Sequence, residues 1–244
     1  MATILEQKSQ IDKLWETFWS NGISNPLTVI EQISYLLFIK ELDEKHTLEE
    51  RKSLKFKKPI EQPIFKDDTD SQIMRWSRFK DLKPSEMFDV VQNKVFPFIK
   101  TLGGDKFAQY MQNAVFMIPT PGLLATAVDM ISNLEMKDID TKGDLYEYLL
   151  SKIAQAGVNG QFRTPRHIGK MMVELADIKP DDIICDPACG TAGFLVCATL
   201  YLREKYPEAF MDAKFNKHFS ENMFYGYDFD YSMLRIASMN MMTH

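Results

Sequence analysis

Two short stretches in the last third of the chain combine carboxylates, glycines and hydroxyls in an order suited to holding a small polar ligand. In the first, the apolar run Ile183-Ile184-Cys185 ends in Asp186, passes through Pro187-Ala188-Cys189-Gly190-Thr191-Ala192-Gly193 and continues into an apolar helical pattern from Phe194 to Arg203. This order predicts a strand, a glycine loop and a helix. In open parallel sheets ligands collect at the carboxyl ends of the strands, where glycine lets the backbone come close without a side chain in the way. The helix start beyond the loop favours an anionic group, either a phosphate or the carboxylate of a methionine moiety. A dinucleotide fingerprint needs G-x-G-x-x-G, but the residue two after Gly190 is Ala192, and no G-x-x-x-x-G-K-[ST] occurs in the chain. Nicotinamide enzymes and P-loop nucleoside triphosphatases are therefore disfavoured.

The second stretch, Met223-Phe224-Tyr225-Gly226-Tyr227, reads as another strand; it ends in Asp228, and a helical pattern starts near Tyr231. An acidic side chain at this place can accept hydrogen bonds from both hydroxyls of a ribose, which implies an adenosine fragment. Equally, Asp228 or Asp230 can cap the helix that follows. Cys185, Cys189 and Cys197 are odd in number and close together, which does not suit a disulfide framework, and His218 stands alone, which does not suit zinc. No metal site is expected, and the cysteines read as reduced, buried and structural.

The elements that position these groups fall into two parts. From about residue 140 short apolar strands alternate with helices, the α/β signature, after a helix expected from Asp144 to Ala156. Before that the pattern is helical throughout. Ile4, Leu5, Ile11, Leu14, Trp15, Phe18 and Trp19 recur at three-to-four spacing, which predicts one buried face and places both tryptophans in the core. After a break at Asn21-Gly22, Asn25-Pro26 supplies a cap and a first-turn proline for a second helix reaching about Glu44. Its apolar side, with Ile30, Ile33, Leu36, Leu37, Ile39 and Leu42, is broad enough to imply contact on two sides. Residues 46 to 84 are charged and proline-punctuated, and read as a long excursion between helices. Within it the basic run Arg51 to Lys58, interleaved with Phe56, is either a solvated loop or a contact to DNA phosphates. Further helical patterns run from Ser85 to Lys100, Asp105 to Met117 and Pro121 to Ser132.

Composition bounds the function. The chain has 244 residues, 45% of them hydrophobic, enough for two modest domains with packed cores. A net charge of -5 argues against gripping DNA along the whole surface, so any nucleic-acid contact is local or supplied by a partner. There is no run of about 20 uncharged apolar residues and no signal-peptide pattern at MATILEQKSQ, which implies no membrane association and a cytoplasmic protein.

A resemblance sharpens these expectations. Gly160-Gln161-Phe162-Arg163-Thr164-Pro165-Arg166, followed by Asp186-Pro187-Ala188-Cys189-Gly190-Thr191-Ala192-Gly193-Phe194-Leu195, resembles the paired cofactor motifs of adenine-N6 DNA methyltransferases. The wording is closest to the modification subunits of type I restriction-modification systems, whose helical N-terminal domain also resembles the first 140 residues. The implied fold is an all-α N-terminal domain, residues 1–140, offering contact to a partner or to DNA, followed by an α/β domain, residues 141–244. The latter is a partial Rossmann-like S-adenosylmethionine-dependent methyltransferase core, truncated after the second strand.

The resemblance implies S-adenosylmethionine as cofactor, with Gln161, Phe162, Thr164, Pro165 and Arg166 flanking its methionine end and Asp186 near its amino group. Gly190, Thr191, Ala192 and Gly193 would wrap it, Asp228 would hold the ribose, and Phe229 would pack on adenine. Read from the residues alone, Thr164 and Pro165 also suit a helix cap and first turn. Two positions depart from the family: Arg163 stands where an aromatic is common, and Asp228 where glutamate is usual. The implied partners are DNA, a specificity subunit, a restriction subunit and a second modification subunit.

The family's catalytic loop, Asn/Asp-Pro-Pro followed by an aromatic, holds the flipped adenine, and this sequence has no Pro-Pro pair. No catalytic residue is assigned, and the chain alone is expected to be inactive. The expected activity of the whole protein is methyl transfer to adenine N6 in DNA. A non-catalytic cofactor-binding or assembly module, and a cytosine N4 or protein glutamine acceptor, are the alternatives.

Overall fold

The computed structural model describes residues 4–60, 63–102, 104–134, 148–149, 151–152 and 164–243. The chain divides into two compact units, Met1–Gly157 and Val158–His244. The boundary expected near residue 140 and most of the helix expected from Asp144 to Ala156 lie outside the described residues.

In the first unit every described element is helical. Helix α1, Ile4–Ser20, buries Ile11, Leu14 and Phe18. Trp19 departs from the expectation of a core residue: it is 46% exposed and stacks on Trp15 at 6.2 Å between ring centroids. Gly22, at φ +94°, ends the turn, a region where a Cβ would be strained.

Helix α2, Pro26–Phe56, opens as the sequence predicts, with the Asn25 carboxamide oxygen accepting from the N–H groups of Leu27 and Thr28. It packs against α1, against α4 (Trp76–Phe79) and against α8 (Pro121–Ser132), so its broad apolar side is covered from more than one direction. It runs 12 residues past Glu44, which corrects the expected excursion from residue 46. The apolar period fades there because polar groups hold the helix instead. Asp43, Thr47 and Glu50 share one face, and Arg75 donates to all three at 2.6, 2.9 and 2.8 Å. The basic run Arg51 to Lys58 is therefore mostly helical tail, its five cations exposed. A surface hollow of about 620 Å³ beside it is lined in part by Lys52, Phe56, Lys58 and Pro59.

The chain returns through α3, Thr69–Ile73, and α4. Then α5, Pro84–Val90, passes through a π turn, Val91–Val95, into α6, Phe96–Ile99, where Pro97 removes a backbone donor from the usual ladder. Helix α7, Gly104–Met111, stops six residues short of the expected Met117. Gln32 holds the irregular segment that follows, donating to the Val115 carbonyl at 3.0 Å and accepting from the Met117 N–H at 2.9 Å. Helix α8 matches its expected span, capped by Thr120. At its other end the buried Lys40 ammonium donates to the carbonyls of Ile131 and Leu134, a cation meeting a helix C-terminus.

The second unit carries two strands, β1 (Ile184–Asp186) and β2 (Phe224–Gly226), paired in parallel with Ile184 opposite Phe224 and Asp186 opposite Gly226. Helix α9, Arg166–Ala176, packs on α10, Gly193–Lys205, where Gly169 faces the Cys197 thiol closely enough that a Cβ would lie 3.0 Å from the sulfur. Helix α11, Ala213–Glu221, lies against β2, and α12, Tyr231–Thr243, against α10. Val173, Leu202, Phe215 and Met223 form one buried cluster, and Cys189, Ala192, Leu195 and Ala237 another. Strand, loop and helix thus follow one another as expected on both sides of the sheet pair.

Candidate cofactor site

Parallel pairing puts the last residues of β1 and β2 side by side, and the ladder continues beyond them. The Tyr227 N–H donates to the Asp186 carbonyl at 2.9 Å, and the Cys189 N–H to the Tyr227 carbonyl at 2.8 Å. This draws the segments after both strands together. Asp186 is half-buried. One carboxylate oxygen accepts from the Ala188 N–H at 3.1 Å, while the other, Oδ2, is buried and has no partner among the described residues. A buried acceptor left unpaired costs roughly 1–3 kcal/mol, more when charged, so such a group marks a place for a donor.

Gly190 adopts φ +51°, and a Cβ built there would meet nothing within 4 Å. The left-handed backbone explains the glycine, and the space beside it is open. Ala192 adopts φ +64° without glycine's freedom, at a cost of about 1 kcal/mol. It is the cap position of α10, whose first residue is Gly193.

The two capping carboxylates separate. Asp230 Oδ1 accepts from the Ser232 N–H at 2.8 Å at the start of α12, so the capping role is its own. Asp228 instead reaches the loop: Oδ2 accepts from the Gly190 N–H at 2.9 Å and Oδ1 from the Asp230 N–H at 2.9 Å. Each oxygen retains a lone pair for a further donor. Phe229 is fully exposed, and Tyr227 and Tyr231 are 59% and 69% exposed, so three aromatic side chains near Asp228 are accessible. Only Phe229 was expected from the sequence; the alternation of aromatics at 227, 229 and 231 was the available signal.

Asp186, Gly190 to Gly193 and Asp228 are thereby brought together. Gln161 and Phe162 lie outside the described residues, as does Arg163. Thr164 and Pro165 are exposed, and the cap expected of Thr164 is corrected by one residue: Pro165 occupies that position, its carbonyl accepting from the Ile168 and Gly169 N–H groups. A proline cap offers no side-chain acceptor, and none is made.

Of the cysteines, Cys189 and Cys197 are buried as expected, but Cys185 is exposed on β1. Burial, with Asp186 and Asp228 nearby, pushes the Cys189 thiol up to about 11, which keeps it protonated at neutral pH. Among the described residues no group of acids, histidines and cysteines is placed to hold a metal ion.

Two family models match the chain: the HsdM N-terminal domain over residues 7–131 and the N-6 DNA Methylase over residues 137–244. The chain belongs to the modification subunits of type I restriction-modification systems. It is 27% identical over 198 residues to the EcoEI methylase subunit of Escherichia coli, covering 79% of this chain and 40% of that protein. Against the StySPI methylase subunit of Salmonella potsdam it is 30% identical over 182 residues, covering 70% of this chain and 34% of that protein. The fold is similar to the crystal structure of a modification subunit of a putative type I restriction enzyme from Vibrio vulnificus YJ016. That match has a TM-score of 0.81 and 21% identity, and covers 100% of this chain and 54% of that one. This modification-subunit chain therefore spans about half or less of the length of these relatives, corresponding to their N-terminal portion.

Proposed function

We propose that the unit Val158–His244 binds S-adenosylmethionine at the carboxyl ends of β1 and β2, as the N-terminal part of a Rossmann-like methyltransferase core. The whole subunit would methylate adenine N6 in DNA. The observation that carries this reading is the buried Oδ2 of Asp186, without a partner among the described residues, at the mouth of the glycine loop. A methionine ammonium is a charged donor suited to that oxygen, and a charge-assisted hydrogen bond there would offset its desolvation. Gly190 leaves room for a ligand to approach the loop backbone, Asp228 keeps a lone pair on each oxygen for ribose hydroxyls, and Phe229 offers an uncovered ring for adenine. The N-terminus of α10 faces the loop, and its partial positive charge suits the methionine carboxylate.

Bound S-adenosylmethionine would supply an electrophilic methyl carbon on a sulfonium: the acceptor nitrogen would bond to that carbon and release a proton as the sulfur leaves with the C–S bonding pair. The residues of this chain bind and orient; the acceptor base would be held by other parts of the subunit after flipping out of the duplex. A specificity subunit, a restriction subunit and a second modification subunit are the proposed partners, DNA the proposed substrate and the cytoplasm the proposed compartment. Among the described residues no helix is long and apolar enough to cross a membrane. The test is transfer of a labelled methyl group by the full-length subunit assembled with its specificity subunit. Label on N6-methyladenine is expected, and label confined to cytosine or to protein would overturn the adenine assignment.

A further inference from the structure

The glycine loop is held from outside itself by two side chains of the segment after β2. Asp228 takes the Gly190 N–H, and Asn240, in the third turn of α12, donates from Nδ2 to the Thr191 carbonyl at 2.8 Å. Asn240 is 4% exposed and stands 49 residues from its acceptor, so this tie crosses from one strand-helix unit to the next. The position of the bond matters. The Thr191 carbonyl belongs to the peptide unit that enters Ala192, and the orientation of that peptide about the Ala192 N–Cα bond is the φ of +64° that an alanine resists. A hydrogen bond fixing that peptide holds the strained residue in place; without it the loop can relax toward ordinary backbone angles.

We propose that Asn240 is a positioning residue of the cofactor site. Through the Thr191 carbonyl it sets the shape of the Gly190–Gly193 loop before the ligand arrives, and it touches no ligand itself. The inference rests on the reading of this loop as the S-adenosylmethionine site. Asp228 and Asn240 together fix the peptide groups that enter Gly190 and Ala192, one through an N–H and one through a C=O, so that the ligand meets a formed surface and ordering costs little on binding.

The experiment compares Asn240→Leu, which keeps the volume and removes the donor, with Asn240→Gln, which restores an amide, in the full-length subunit assembled with its partners. Should the leucine variant not fold, Asn240→Ala carries the same expectation. Loss of one hydrogen bond that acts through the loop should raise KM for S-adenosylmethionine roughly five- to ten-fold, leave kcat at saturating cofactor within about two-fold, and be partly reversed by glutamine. In the ligand-free protein, amide exchange of residues 188–193 should quicken while that of β1 and β2 does not. Unchanged KM together with unchanged loop exchange overturns the proposal, as does a fall in kcat with uniformly faster exchange, the mark of a merely structural role. If the unsubstituted protein neither binds nor uses S-adenosylmethionine, the functional reading fails, and the exchange of the loop still decides whether Asn240 shapes it.

Discussion

Asp186 shows how one carboxylate divides its work: Oδ1 closes the turn after β1 by accepting from Ala188, and Oδ2 stays buried without a described partner. The sequence placed this aspartate correctly at a strand end, because an apolar run interrupted by an acid before a glycine loop has few other uses. It could not divide the duties of Asp228 and Asp230, since both carboxylates stand before the same helix and only the folded geometry shows which one reaches Gly190. Asn240 was invisible for a related reason: nothing in an isolated helix pattern distinguishes an asparagine that meets a loop 49 residues away. The cysteines give a prediction at this scale. Exposed Cys185 should react with iodoacetamide in the folded protein, whereas Cys189, buried and held protonated, should react only on unfolding, as mass spectrometry of labelled peptides would show. Because the folded state raises Cys189 from 9.0 to about 11, its contribution to stability is intact below pH 9 and declines as pH rises through about 11. Cys189→Ala should remove that part of the alkaline loss in a melting series.

At the scale of elements, helices with an apolar period and clear end signals were legible, α8 and the start of α2 above all. The last third of α2 was not, because charge pairing rather than apolar burial holds it to Arg75. Arg75→Ala would leave Asp43 buried beside a missing cation, and should destabilise the first unit by about 3–5 kcal/mol in urea unfolding. The hydrogen bond from Arg75, ahead of the opposing effect of partial burial, holds the Glu50 carboxyl below its ordinary 4.5. Its contribution is therefore present above pH 4.5 and lost as pH falls below it, and Arg75→Ala should flatten the acid side of the stability profile. In the second unit, Gly226 at the end of β2 sits where a Cβ would lie 3.0 Å from the Cys189 sulfur and 3.2 Å from Leu195 Cδ1. Gly226→Ala should cost about 1–3 kcal/mol by overpacking and loosen the loop it abuts, readable as a lower melting temperature.

At the scale of the whole molecule, the helical first part and the α/β second part were legible from the change in periodicity, while the site itself needed the parallel register that aligns Asp186 with Gly226. All the proposed cofactor contacts that the structure describes fall within Val158–His244, so ligand at about 100 times Kd should stabilise that unit by about 2.7 kcal/mol. Hydrogen exchange should show the protection there and leave Arg75 and its neighbours in α2 unchanged. In the proposed reading, Asp186 Oδ2, without a partner among the described residues, receives the ammonium of S-adenosylmethionine. Calorimetric titration of S-adenosylmethionine into the folded protein, beside Asp186→Asn, tests it: one-to-one binding weakened at least about ten-fold by the substitution is predicted. Equal affinity in both proteins, or no binding to a protein whose second unit is folded, would contradict it.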